Sequence, residues 1–390
     1  MVSGTTADTA APRRLRLGMV GGGEDAFIGA VHRIAARLDD DYELVAGCFA
    51  STAEKSRRSG TALRVPTDRV YDDFAAMAKA EAARADGIDV VTIVTPNHLH
   101  VAVATAFLDA GIDVICDKPL ATSVADAEGL AAKVRASGRI FALTHNYTGY
   151  PLVREARSLV AQGRLGRIRV VQAEYAQDWL STKLEDTGLK QAEWRTDPSR
   201  SGPVGCLGDI GTHAFNLATF VTGLGVERVL AELTTFVDGR RLDDDAQLLL
   251  RFTNGAKGSL WASQVAPGNE NGLRLRVYGD QAGLSWSQEQ PNELTLTRLG
   301  APPEKLTRAG PGLGGDATRA ARIPAGHPEG YLEGFANLYR DVAVQLRAAR
   351  AGTVPPPQAC LVPTVDDGVV GMRFVAAAVD SARTSRWVEL

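Results

Sequence analysis

Three side chains in this sequence have the types and spacing that proton transfer needs. Asp209 and His213 stand four residues apart in Gly208-Asp209-Ile210-Gly211-Thr212-His213, a spacing that places both on one face at the start of a helix. A carboxylate beside an imidazole orients it and favours its charged form, giving a general base for work near neutral pH. A capping aspartate followed by a core histidine fits the same spacing. Lys118, in Asp117-Lys118-Pro119, closes a short apolar run, and a lysine desolvated at a strand end is suited to proton transfer. A surface lysine before a helix is the alternative there. Thr95-Pro96-Asn97-His98-Leu99-His100 closes the preceding apolar run. Open α/β sheets bind ligands beyond the carboxyl ends of their strands, so both segments are expected to face one crevice.

A fourth signal lies earlier, in Gly21-Gly22-Gly23-Glu24-Asp25-Ala26-Phe27-Ile28-Gly29. A glycine-rich turn between a strand and a helix lets the backbone approach a pyrophosphate, which the helix N-terminus then holds. Read strictly, Gly21, Gly23 and Ala26 fit G-x-G-x-x-G/A; a second reading makes Gly29 the third glycine after a three-residue insertion. Either predicts dinucleotide binding. The next strand ends at Ser51 and Thr52, with Lys55, Arg57 and Arg58 behind them, where a carboxylate would grip the ribose hydroxyl of NAD. Hydroxyls and cations lean towards the 2′-phosphate of NADP, although a solvated basic helix face explains them equally well. The acidic run Asp243-Asp244-Asp245 reads as a solvated turn, and no metal is expected. All six histidines are expected at strand ends, glycine turns or helix starts.

The elements that must position these groups follow from the pattern. LRLGMV, YELVAGCF, DVVTIV, IDVIC and IFALTH read as buried strands, separated by helical stretches such as residues 98–110 and 124–137, which predicts a parallel sheet covered on both faces. After Tyr150 come a helix over 153–162, a strand in RIRVVQAEYAQDW and a helix over 211–222. Six strand-like runs then follow with short turns, an antiparallel pattern. Residues 300–328 read as a long loop, and helices over 330–350 and 365–382 complete the chain. The fold class expected is therefore an α/β Rossmann domain plus an α+β domain with an open, mainly antiparallel sheet. The boundaries are a disordered leader at 1–14, a dinucleotide-binding domain at 15–148 and a substrate and oligomerisation domain at 149–390.

Composition narrows the classes. With 390 residues, 43 Lys+Arg and 46 Asp+Glu, the chain has a formal net charge of −3, too balanced for a nucleic-acid or anionic-membrane surface. No apolar run approaches the ~18 residues of a membrane span, and the first fourteen residues lack a signal-peptide core. Cys48, Cys116, Cys206 and Cys360 are widely spaced, which predicts free thiols in a reducing cytoplasm.

Taken in order, the glycine turn, TPNHLH, DKP, a Trp194-Arg195 pair and GDIGTH resemble the motifs of the Gfo/Idh/MocA oxidoreductases, over nearly the whole chain from Arg16. The resemblance implies NAD(P)-dependent hydride transfer at a sugar, anhydrosugar, glycoside or cyclitol carbon. By the same resemblance Lys118, Asp209 and His213 are catalytic: His213 moves the hydroxyl proton, Lys118 polarises the oxygen, and Asp209 binds a substrate hydroxyl and tunes both. Gly21, Gly23, Phe27, Ile28, Ser51, Thr52, Lys55, Thr95, Pro96, Asn97, His100, Asp117, Lys118, Asn146, Trp194 and Arg195 would bind the cofactor. Tyr147, Gln177, Asp178 (beside Trp179), Arg195 and His327 would join the catalytic groups around the substrate. The acid of the family's E-K-P segment is the shorter Asp117 here, and the glycine turn is longer than usual. The family also implies a homo-oligomer, dimer or tetramer, through the C-terminal sheet. Two other activities fit: an NAD-retaining glycosidase or lyase that oxidises and re-reduces one carbon, and a non-catalytic sugar or nucleotide sensor.

Overall fold

In a computed structural model, residues 12–24 and 26–390 are described, so the expected leader lies outside the described residues as far as residue 11. Its last residues belong to the fold: Arg13 pairs with Asp89 at 2.6 Å and Arg14 with Asp40 at 2.5 Å. The first sheet holds β1 (Leu15–Gly21), β2 (Tyr42–Cys48), β3 (Val90–Val94), β4 (Asp113–Cys116) and β5 (Phe141–Leu143), all parallel, in the order β2-β1-β3-β4-β5. The central strand is wholly apolar apart from Thr92, and every residue of Val90–Val94 is enclosed. Helices α1 (Phe27–Leu38), α2 (Ala53–Ala62), α3 (Phe74–Ala83), α4 (His100–Asp109) and α5 (Val124–Ser137) connect them. Ser123 caps α5 by accepting from Asp126 N, and Gly138 ends it in the left-handed region at φ 63°. The order reverses between β1 and β3, and that point is where a doubly wound sheet opens a crevice. His32 departs from the expected pattern of histidines: it lies inside α1, fully buried, with Nδ1 2.8 Å from Tyr339 Oη.

The second half begins with α6 (Pro151–Ala161) and β6 (Ile168–Ala176), then α7 (Lys190–Arg195), α8 (Pro198–Ser201) and α9 (Thr212–Thr222), the last preceded by a π-helical turn at Leu207–Gly211. Strands β7 (Val226–Thr234), β8 (Asp245–Phe252), β9 (Lys257–Ser263), β10 (Gly272–Gly279), β11 (Ala282–Ser287), β12 (Glu293–Arg298) and β13 (Pro303–Thr307) follow, then α10 (Gly315–Ala320), α11 (Tyr331–Ala351), α12 (Val365–Thr384) and β14 (Val388–Glu389). The sheet runs β13-β12-β11-β10-β6-β9-β8-β7-β14, antiparallel except for the parallel pair β6/β9. The expected loop over 300–328 is thus partly structured, carrying β13 and α10. Strand alternation buries Leu248 and Leu250 on the helix-covered face and leaves Leu249, 51% exposed, on the other with Val170 and Tyr278.

The acidic run is a correction to the sequence reading. Asp243, Asp244 and Asp245 are all buried, because each carboxylate meets donors from distant segments. Asp243 accepts from Gly205 N and Leu207 N, Asp244 from Phe236 N and Val237 N, and Asp245 from Trp261 Nε1. These bonds offset the cost of burying the charges, and Asp243 thereby fixes the start of the turn that carries Asp209.

The C-terminal helices do not stay with the second sheet. Phe335, Leu338, Tyr339 and Val342 of α11 share one core with Leu15, Leu17, Val31 and Val90. Tyr339 Oη lies 2.9 Å from Thr92 Oγ1, and Tyr42 Oη donates to Tyr339 O at 2.7 Å. The buried pair Arg154–Asp341, at 2.6 Å, ties α11 back to α6. Val365, Val369 and Met372 of α12 join the core beneath β4 and β5.

Candidate active site

A cleft of about 1280 Å³ opens at the reversal of the first sheet and is roofed by the second half. Its floor is the glycine turn. Gly21 and Gly22 adopt φ of 82° and 71°, open to glycine at little cost, and a Cβ on Gly23 would lie 2.7 Å from Phe49 O. A Cβ on Gly29 would come within 2.3 Å of Gly22 Cα. Gly29 is therefore the glycine that lets α1 pack on the turn. Ala26, the N-cap of α1, supplies no side-chain cap, so first-turn N–H groups remain for an anion. Phe27 and Ile28 line this end, the former 65% exposed.

At the adenosine end the cleft is lined by Ser51 and Lys55, but also by Asp72, Asp73 and Phe74. Thr52 lies outside the lining, exposed as the N-cap of α2. The basic face that favours a 2′-phosphate is already paired: Arg57 donates to Asp72 at 2.6 Å, and Arg58 to Glu24 at 2.8 Å. The lean towards NADP loses its physical basis there.

Beyond β3, Thr95, Pro96 and Asn97 line the cleft, and Asn97 Nδ2 donates to Ser201 O across the roof at 3.3 Å. His100 does not line it. Its ring is buried, with Nδ1 2.7 Å from Pro119 O and Nε2 3.0 Å from Thr95 O. It braces the two strand-end loops rather than meeting a ribose. Asp117 Oδ1 accepts from Lys118 N and Thr144 Oγ1 at 2.8 and 3.0 Å, and the Lys118–Pro119 peptide is cis. Thr95 Oγ1 and Asn146 Nδ2, both in lining residues, are buried without a partner among the described residues. Unpaired polar atoms in such a place suit a polar ligand with matching groups. Together with the uncapped helix and the glycine cradle, they fit a nicotinamide dinucleotide laid along the cleft.

The proposed acid and base groups converge from separate halves. Lys118 Nζ donates to Asp209 Oδ1 at 3.0 Å and to Asp209 O at 2.6 Å. Arg195 Nε and Gln264 Nε2 donate to Asp209 Oδ2 at 3.1 and 2.9 Å, and Arg195 stacks its guanidinium 4.3 Å from the Trp194 ring centre. Burial pushes the Asp209 carboxyl up, but the Lys118 and Arg195 cations and their hydrogen bonds overcome it and hold the group well below the carboxylate range. The π-helical turn sets Asp209 towards Lys118 rather than along the helix towards His213. The expected carboxylate–imidazole pair is accordingly absent: Asp209's oxygens serve Lys118, Arg195 and Gln264. His213, 8% exposed, is held neutral, since burial first and then the Lys118 charge and neighbouring His145 push it well below its ordinary value, against the pull of Asp209. His145 is itself lowered to about 3 by burial and Lys118. The His213 ring sits 4.9 Å from the Tyr147 ring and 5.4 Å from that of His145.

Tyr147, Gln177 and Arg195 complete the lining as expected, joined by Tyr175, Trp179, Gln191, Asn271 and Tyr331. Asp178 is outside it, its carboxylate accepting from Gly268 N at 3.3 Å. His327 is also outside: its side chain is exposed, and its carbonyl accepts from Arg308, which holds the loop in place. The sequence carries no local signal for Asn271 or Tyr331, which long-range pairing brings in. Tyr175 could be found from strand alternation, because it shares a face with Ala173. Among the described residues no cluster of three or more His, Cys, Asp or Glu is placed to hold a metal ion, and no helix is long and apolar enough to cross a membrane.

Residues 15–145 match the oxidoreductase family with an NAD-binding Rossmann fold, and residues 153–285 match the GFO/IDH/MocA C-terminal domain. The chain belongs to the Gfo/Idh/MocA oxidoreductase family. It is similar over 97% of its length to an oxidoreductase from Sinorhizobium meliloti, at 52% identity and a TM-score of 0.88, covering 100% of that chain. An inositol dehydrogenase homolog from Azotobacter vinelandii, solved with NADH and myo-inositol, is 36% identical with a TM-score of 0.90, over 97% of this chain and 98% of that one. Levoglucosan dehydrogenase from Pseudarthrobacter phenanthrenivorans is 28% identical over 323 residues, 73% of this chain and 76% of the relative. As a Gfo/Idh/MocA protein, the chain is an NAD-binding oxidoreductase whose relatives include sugar and cyclitol dehydrogenases.

Proposed function

We propose that this protein is an NAD-dependent dehydrogenase of a secondary alcohol on a cyclitol or sugar, with Lys118, Asp209 and His213 as its catalytic residues. The carrying observation is the convergence of the Lys118–Asp209–Arg195 node and a neutral His213 on a cleft floored by the glycine turn. When bound, NAD supplies the hydride acceptor at its nicotinamide ring. The backbone at Gly21–Gly23 and the N-terminus of α1 bind its phosphates, and Thr95, Asn97 and Asn146 orient the nicotinamide end. His213, as a neutral imidazole, takes the hydroxyl proton. The Lys118 ammonium, fixed by two oxygens of Asp209, stabilises the charge that develops on that oxygen. Asp209 keeps both cations in place and remains ionised throughout. NAD rather than NADP is the cofactor, because Arg57 and Arg58 are paired and Asp72 and Asp73 line the adenosine end. A second copy on the outer sheet face would bury Leu249, Val170 and Tyr278, which are exposed there. The free thiols of Cys48, Cys116, Cys206 and Cys360 suit a reducing cytoplasm.

The test is a panel of polyols including myo-inositol and levoglucosan, assayed with NAD and with NADP for reduced-nicotinamide absorbance. Turnover with a kcat/KM ratio favouring NAD is expected. Product formed without net absorbance change would replace the proposal by the redox-cycling glycosidase or lyase, and binding without any turnover would replace it by a sensor.

A further inference from the structure

The substrate wall contains a chain of hydrogen bonds whose direction is fixed from one end. The indole N–H of Trp179 can only donate, and it donates to Gln177 Oε1 at 3.0 Å. That settles which end of the Gln177 amide is which, so Gln177 Nε2 faces Asn271 and donates to its Oδ1 at 2.7 Å. The same Oδ1 accepts from the Tyr175 hydroxyl, also at 2.7 Å. Tyr175 has one proton, now committed to Asn271, and can only accept from Tyr147, whose hydroxyl lies 2.6 Å away. The Tyr147 proton is therefore directed into the wall. What its oxygen offers the cleft is lone pairs alone.

The position of that oxygen gives the polarity a use. Tyr147 is 3% exposed and Tyr175 likewise, so water does not compete at the two hydroxyls, while Gln177, Trp179 and Asn271 are half-buried. The Tyr147 ring packs against the imidazole that takes the substrate proton, with centres 4.9 Å apart. Gln264 links the chain to the Asp209 carboxylate, donating to its Oδ2 at 2.9 Å and reaching Gln177 Oε1 at 3.5 Å. A lone hydroxyl bound at His213 and Lys118 would leave the Tyr147 acceptor unpaired in a buried place, which is unfavourable.

We propose that Tyr147 accepts a hydrogen bond from a second substrate hydroxyl, on the carbon next to the one oxidised, and that Trp179 fixes this requirement through Gln177, Asn271 and Tyr175. The site is thus specific for a vicinal diol unit whose neighbouring hydroxyl donates. Tyr147 touches substrate; Trp179, Gln177, Asn271 and Tyr175 are positioning residues. This rests on the polyol dehydrogenase reading above and narrows its substrate class.

The test uses myo-inositol or levoglucosan, whichever the panel shows to be turned over, with its monodeoxy and monodeoxyfluoro analogues at the carbons flanking the oxidised one. Fluorine replaces the hydroxyl with a weak acceptor that cannot donate. The parent protein should lose about tenfold or more in kcat/KM with both analogues, the fluoro compound doing no better than the deoxy one. In the double variant Tyr175→Phe/Asn271→Leu, Tyr147 loses both internal acceptors, Tyr175 and Asn271, and its proton is free to turn to the cleft. The fluoro analogue should then recover several-fold relative to the deoxy compound, while NADH affinity, read by fluorescence, stays within twofold. Trp179→Phe, at the half-buried end of the chain, should narrow the same ratio through KM more than kcat. If the analogues match the hydroxyl substrate in the parent protein, or both variants keep the parent's discrimination, the proposal is overturned. Absence of turnover with any polyol would instead overturn the dehydrogenase reading on which it rests.

Discussion

If His213 is the proton acceptor, the acid side of the pH–rate profile reports how its surroundings hold it. Burial contributes most to lowering its pKa, the Lys118 charge next, and Asp209 opposes both. The competent form is the neutral imidazole, so a lowered pKa keeps the base active as the pH falls. With an ordinary pKa of ~6.5, only about one-tenth of the imidazole would be neutral at pH 5.5, and kcat/KM for alcohol oxidation would drop roughly tenfold from its value near pH 7.5. With the pKa held well below that value, the neutral fraction stays close to one and the expected drop is less than about twofold. Initial rates of polyol oxidation at saturating NAD, from about pH 5 to 8, measure this directly, since kcat/KM follows the groups of the enzyme before the polyol binds. Lys118→Met removes the second cause of the shift, so its weaker residual activity should show an acid limb moved towards neutrality. An acid limb near pH 6.5 in the unaltered protein would refute the assignment of a buried neutral histidine as the base.

Two further outcomes follow from the site. Lys118→Met and Asp209→Asn should each lower kcat by ~10²- to 10⁴-fold, with NADH affinity within about threefold of the parent by fluorescence titration; near-native turnover in either would remove it from the mechanism. Gly29→Ala places a methyl 2.3 Å from Gly22 Cα, backbone against backbone, and should weaken NADH binding by about tenfold or more through displacement of the turn; unchanged affinity would show that the turn's position is not set by that contact.

What was legible in the sequence was local. Apolar runs with β-branched residues marked the strands, and Val124–Ser137 carries both of its own end signals in Ser123 and Gly138. The segment between β2 and β3 says less, because α2 buries only Ser56, Ser59 and Gly60 and has no apolar stripe. That Lys118 and Asp209 line one cleft was readable from their places at strand and helix ends. The direction of the Asp209 carboxylate was not, since a π-helical turn breaks the four-residue spacing that pairs it with His213. His100 and the run 243–245 misled for a common reason. Their polar groups find partners outside their own motif, backbone such as Pro119 O for His100 and Gly205 N for Asp243 and the Trp261 indole for Asp245, and nothing in the neighbouring residues announces such partners. Asn271 and Tyr331 enter the cleft by the same long-range route.

The return of α11 to the first sheet has a bearing on how coenzyme is exchanged. The polypeptide crosses between the halves at Tyr150 and comes back at Tyr331, and Tyr339 is bolted to β3 and α1 by its hydroxyl. Strapped at these crossings and again by α12, whose Val365 and Val369 pack under the first sheet while Phe374 and Ala378 join the second core, the protein resists swinging open like a book. Exchange of coenzyme is therefore expected without a wide hinge opening, and grafting a foreign nucleotide unit onto this scaffold requires re-cutting α11 to match.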